Sequence, residues 1–155
     1  MNIYIYDGEV FSDDWLFVFR RPEKNSNHIV IHNDNARLRE FLSQDDIVLG
    51  GFNNKHYDDY ISKVIYYGGS NIEVKRCNEW IITEKKDPWE FPFLQFKPKP
   101  FKSFDLKDDL PPDLSLKAIE GNLNSHIVES SVSFNIDRKL TPEELEEVIQ
   151  YLKTT

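Results

Sequence analysis

The chain has 155 residues, enough for one domain with a complete core and too few for two. Its 27 acidic against 19 basic residues give a formal net charge of −8, which excludes a protein that passively coats nucleic acid through a basic face. The single cysteine excludes an internal disulfide, no Cys/His set has zinc-site spacing, and no apolar run approaches the ~18 residues of a membrane span. With no basic segment leading into an apolar one near Met1, a cytoplasmic protein without a membrane partner is expected. Aromatic residues make up 14% of the chain, so rings rather than aliphatic side chains fill much of the core.

Residues 2–7 read as a buried strand that runs into two carboxylates, Asp7 and Glu9. Side chains at i and i+2 of a strand share a face, so the two acids point the same way. In a dry site they repel each other, and a shared hard cation such as Mg²⁺ relieves that repulsion. The plainer reading is a turn at Asp7-Gly8 with Glu9 on a solvated edge. A second strand over 15–19 and a third over 28–32, joined by short polar connections, predict an antiparallel meander. Asn33, Asp34 and Asn35 offer caps for a helix over 36–43. The apolar run 47–50 has the character of a buried parallel strand, and a helix over 58–67 stops at Gly68-Gly69.

Residues 71–77 fit another helix and 80–83 a strand. Residues 84–102 carry Pro88, Pro92, Pro98 and Pro100 among Phe, Trp and Lys; an internal strand does not tolerate that proline density, so a loop or projecting arm is expected there. The chain is expected to return to the sheet over 103–106, and a short helix is expected over 114–120. The last element is the best marked. Thr141 caps it, Pro142 takes the first helical position, Glu144 closes a capping box, and Leu145, Val148, Ile149 and Leu152 form its apolar face. The whole is a single mixed α/β domain over 1–155, with flanking helices and an inserted Pro/aromatic-rich arm.

Asp58 opens the helix that follows the predicted parallel strand, where α/β folds place their sites. It is either a third ligand beside Asp7 and Glu9 or an acid suited to a helix N-terminus. Asp-x-Glu ending a first strand, then Asn53-x-x-x-Tyr57-Asp58 at a helix start, resembles the first two motifs of DEDD-type 3′–5′ exonucleases, a branch of the RNase H-like superfamily. Segments 50–61, 114–122 and 140–151 also resemble exonuclease-like parts of phage replication proteins.

The resemblance implies an RNase H-like fold and two-metal phosphodiester hydrolysis of single-stranded DNA or RNA with Mg²⁺ or Mn²⁺. It makes Asp7, Glu9 and Asp58 the catalytic metal ligands, with Asn53 and Tyr57 shaping the substrate site. Asp105, on an apparent strand, is a further metal candidate. Lys97, Lys99 and Lys102, interleaved with Phe93, Phe96 and Phe101, suit a single strand of nucleic acid, and equally a protein-contacting arm.

One feature departs from the family. Its third motif places an Asp four residues after a Tyr or His, and here Tyr151 is followed at that distance by Thr155. The fourth carboxylate is missing. Either the domain is trimmed here, or it is a natural descendant with impaired or no nuclease activity; the alternative function is then that of a catalytically dead, exonuclease-derived phage protein. It would act in the host cytoplasm, binding and inhibiting a basic host protein of nucleic-acid processing or CRISPR-type defence.

Overall fold

The computed structural model describes residues 1–23, 25–109 and 132–154. Its centre is a five-stranded mixed sheet in the order β3-β2-β1-β4-β5. Strands β1 (Asn2–Val10), β2 (Trp15–Arg20) and β3 (Ile29–His32) form the expected antiparallel meander. Strands β4 (Ile47–Gly51) and β5 (Lys102–Asp105) add to the other side of β1, each parallel to its neighbour.

Period-two alternation sorts β1. Tyr4, Tyr6, Gly8 and Val10 are buried on one face, whereas Asp7 and Glu9 lie on the opposite one. The Tyr4 face packs with Phe17, Phe19 and Leu49 under three helices. These are α1 (Asn35–Leu42), α2 (Asp58–Tyr66) and α3 (Asn71–Ile82). On the other face Leu16 and Val18 pack against Val148 and Leu152 of α4 (Pro142–Thr154). Strand β2 is covered on both sides, which is why 15–19 reads as an unbroken apolar run rather than an alternating one.

The helix starts follow their predicted chemistry. Asp34 accepts from the Arg37 N–H at 3.0 Å, and Thr141 and Glu144 exchange the two bonds of a capping box. Gly68 takes φ +83° just past the end of α2, a left-handed step that suits glycine.

Two expectations change. Residues 80–83 do not form a strand, because Trp80 to Ile82 are the last turn of α3. Its Ser70–Glu73 capping box and its buried Val74 and Cys77 outweigh the local β preference of Trp-Ile-Ile. Residues 84–101 form a loop, as expected, with Lys102 already in β5, but the segment folds back rather than projecting. Two short 3₁₀ turns carry Phe91 and Leu94 into the core, and the Phe91 ring meets Trp80 edge-on at 5.6 Å. The expected helix over 114–120 lies outside the described residues.

Gly8 sits directly opposite Phe17 in the β1–β2 pair, and a Cβ there would meet the Phe17 ring at 2.2 Å. Phe17 is fully buried among Tyr6, Trp15 and Phe19 and has nowhere to go. Gly8→Ala is expected to cost about 1–3 kcal/mol through overpacking, lowering the melting temperature by roughly 5 °C. An unchanged thermal midpoint would show that the ring yields freely.

Candidate metal centre

Strand β4 pairs with β1 only as far as Ile5↔Gly50, whereas β1 runs on to Val10. That edge of β1 is therefore uncovered beyond Ile5, and its backbone needs other partners. The Gly8 N–H is shared between two carboxylates, donating to Asp7 Oδ1 at 2.9 Å and to Asp58 Oδ1 at 3.1 Å. One hydrogen thus draws together acids far apart in the chain, Asp7 and Asp58.

The loop after β4 puts Asp58 there. Asn53 adopts the left-handed conformation (φ 61°), which asparagine tolerates better than most residues, and a 3₁₀ turn over Asn54–His56 follows. Asp105, at the end of β5, fixes this loop. Its Oδ1 accepts the Asn53 N–H at 2.7 Å and the Lys107 N–H at 3.0 Å, and its Oδ2 accepts the Lys55 N–H at 3.1 Å. The chain then enters α2 at Asp58.

Asp7, Glu9 and Asp58 all line one cleft of about 500 Å³. Burial, then the charge on Asp7, pushes the Glu9 carboxyl up to about 8. The Glu9 carboxyl has no hydrogen-bond or ion-pair partner among the described residues. Burial also pushes Asp58 well above the carboxylate range, as do the charges on Asp7, Asp59 and Glu9; the Gly8 N–H pulls the other way. These carboxylates cannot all ionise cheaply without a cation. Their oxygens are not closely gathered, however. Among the described residues, only His56, Asp105 and Asp108 bring three His, Cys, Asp or Glu ligand atoms within 4.8 Å of one another. The structure therefore groups Asp105 with that candidate cluster beside the Asn53 loop, and it does not line the cleft.

Asn53 and Tyr57 both border the cleft. The Tyr57 hydroxyl donates to Asn78 Oδ1 at 2.6 Å, and burial, then the charge on Asp58, raises its phenol. Tyr151 of α4 also faces the cleft, but α4 contributes no carboxylate to the lining. The helix is anchored by its lead-in, where the Leu140 N–H donates to the buried Asp14 at 2.8 Å.

The lysines expected to hold substrate lie elsewhere. Lys97 is folded back on Phe93, donating to its carbonyl at 2.7 Å, and Lys99 is ion-paired with buried Asp59 at 2.8 Å. Lys99 and Lys102 border a hollow that includes Met1 and Ile47, at the opposite end of the parallel strands from the acids. Lys75, Asn78 and Glu79 of α3 also line the cleft, and the sequence reading gave them no part in the site. Their i, i+3, i+4 spacing behind the Ser70-x-x-Glu73 capping signature was the available signal.

Comparison with protein-family models, with curated proteins and with solved structures finds no match. Among the described residues no helix is long and apolar enough to cross a membrane.

Proposed function

We propose that this chain is an RNase H-like domain of the 3′–5′ exonuclease type, hydrolysing phosphodiester bonds at the end of single-stranded DNA or RNA with Mg²⁺ or Mn²⁺. The observation that carries the reading is the Gly8 N–H shared by Asp7 and Asp58, with Glu9, whose carboxyl has no partner among the described residues, beside them in one cleft. Like charges held together at a cost are what a cation site requires. The order of the sheet supports it further: an antiparallel meander continues into parallel strands, with acids near the carboxyl ends of β1 and β4, where open α/β sheets place their ligands.

Asp7, Glu9 and Asp58 would hold the cations, the acceptor-only oxygen chemistry these ions favour. Such cations lower the pKa of water and offset charge on the phosphate oxygens. Tyr57, fixed by Asn78, and Asn53, fixed through Asp105, define the wall against which a nucleotide is positioned.

The second reading is an exonuclease-derived domain with a silent centre that binds a basic protein. It draws on the absence of any α4 carboxylate from the cleft lining and on the spread of the three acids. The test is release of mononucleotide from a 3′-labelled single strand in Mn²⁺, against chelator and against Asp7→Ala. Cation-dependent release by the parent alone supports the enzyme. Release that survives Asp7→Ala removes it, and no release by the parent, together with capture of a basic protein, selects the second reading.

A further inference from the structure

The cleft has a wall of opposite character. Lys75 is the one basic residue among its described lining residues, and its side chain is only 19% exposed. It is engaged from two sides, by Glu79 Oε1 at 3.1 Å one helical turn later and by the Phe134 carbonyl at 3.5 Å. Glu79 does not depend on it. The Thr83 hydroxyl donates to Glu79 Oε2 at 2.6 Å, so the carboxylate stays bonded when the lysine leaves. An i,i+4 pair in a partly hydrated cleft is weak, and an ammonium exchanges it readily for a phosphate dianion or diester.

We infer that Lys75 is the phosphate-holding cation of this cleft and that Glu79 is its resident competitor, displaced when substrate phosphate enters. This rests on the reading of the cleft as a nucleic-acid site. It assigns the phosphate contact to α3, across the cleft from the acids of β1 and α2. It also accounts for a partly buried lysine that, among the described residues, pairs with Glu79 of its own helix rather than with Asp7, Glu9 or Asp58 across the cleft.

Removing either partner of a purely structural ion pair weakens the site in the same direction. A competitor and a ligand-holder instead give opposite signs. Binding of 5′-fluorescein oligothymidylate is measured by anisotropy in Ca²⁺ over a range of salt concentrations, with thermal melts to verify folding. Lys75→Gln is expected to weaken binding about tenfold, the loss of one charge-assisted hydrogen bond. It should also flatten the dependence of log affinity on log salt by about 0.7, one phosphate contact on a single strand. Lys75→Arg should restore most of the affinity, and Glu79→Gln should tighten binding a few-fold.

Equal weakening by Lys75→Gln and Glu79→Gln with an unchanged salt slope would overturn the inference. So would variants indistinguishable from a parent that binds and hydrolyses, which would leave the nuclease reading intact. A parent that neither binds oligothymidylate nor releases nucleotide removes both.

Discussion

Glu9→Gln is expected to cut cation-supported hydrolysis at least about a hundredfold while making the cation-free protein more stable at pH 8. The two effects have one origin. Glu9 is raised from 4.5 to about 8 by burial and by Asp7. A folded-state value above the unfolded one means the stability it contributes is complete below about pH 4.5 and is lost as pH rises through about 8. In a dry site a change of that size is worth about 5 kcal/mol; Glu9 is only partly buried in the fold, and solvent screening reduces this to roughly 1–2 kcal/mol. In chelator the parent should therefore melt roughly 5 °C lower at pH 8 than near pH 4.5 from this group, with Asp58 adding to the fall. Gln does not titrate, so the variant keeps only the part due to Asp58. Adding Mn²⁺ at pH 8 should raise the midpoint of the parent, since an ion that binds only the folded state stabilises by mass action, about 2.7 kcal/mol at a hundred times Kd. The variant should respond far less. Its hydrolysis should fall by at least about a hundredfold, because changing even an outer partner of a metal ligand costs 10–100-fold. A parent whose midpoint is flat from pH 4.5 to 8 and indifferent to Mn²⁺ would show that the acids are not held in mutual repulsion.

How far the chain could be read in advance depended on the range over which each signal acts. Alternation in β1 and the short apolar run of β4 are local, and they alone put Asp7 and Glu9 at a strand end and Asp58 at a helix start. The convergence of Asp7 and Asp58 on Gly8 needed only that β4 lie parallel beside β1. Thr141, Pro142 and Glu144 marked α4 for the same local reason. Residues 80–83 were misread because Trp-Ile-Ile is a β-favouring triplet whose helical state is set by neighbours ten positions upstream, at Ser70 and Glu73. That error hid Lys75, Asn78 and Glu79, since a helix broken after Cys77 presents no continuous face to the cleft. Proline density ruled out a strand over 84–102, but the depth of Phe91 and Leu94 in the core is a tertiary outcome with no local mark. Lys99, expected beside substrate, is bonded to a partner forty positions away, Asp59, a pairing with no local mark.

Asp59→Ala is expected to be the most destabilising single substitution on the α2 side of the sheet, by about 3 kcal/mol. Asp59 is buried and fully subscribed. Its Oδ1 accepts from the Tyr6 hydroxyl and from Asn54 Nδ2 at 3.2 Å; its Oδ2 accepts from Lys99 Nζ at 2.8 Å and Ser103 Oγ at 2.6 Å. These four donors come from β1, the loop after β4, the Pro-rich segment and β5, so one carboxylate ties α2 to most of its surroundings. Breaking a buried pair by deleting one member costs about 3–5 kcal/mol. The low end applies here because the Lys99 side chain, 41% exposed, regains water when released. The Tyr6 hydroxyl does not; its ring lies in the stack with Phe17 and Phe19, and its proton would lose its carboxylate acceptor inside the core. Thermal denaturation should show a fall of roughly 9 °C for Asp59→Ala and a smaller one for Lys99→Met, which leaves three donors on the carboxylate. Were the two variants equally damaging, the lysine rather than the buried tyrosine would be what Asp59 is there to hold, and the account of α2 as anchored through the sheet would fail.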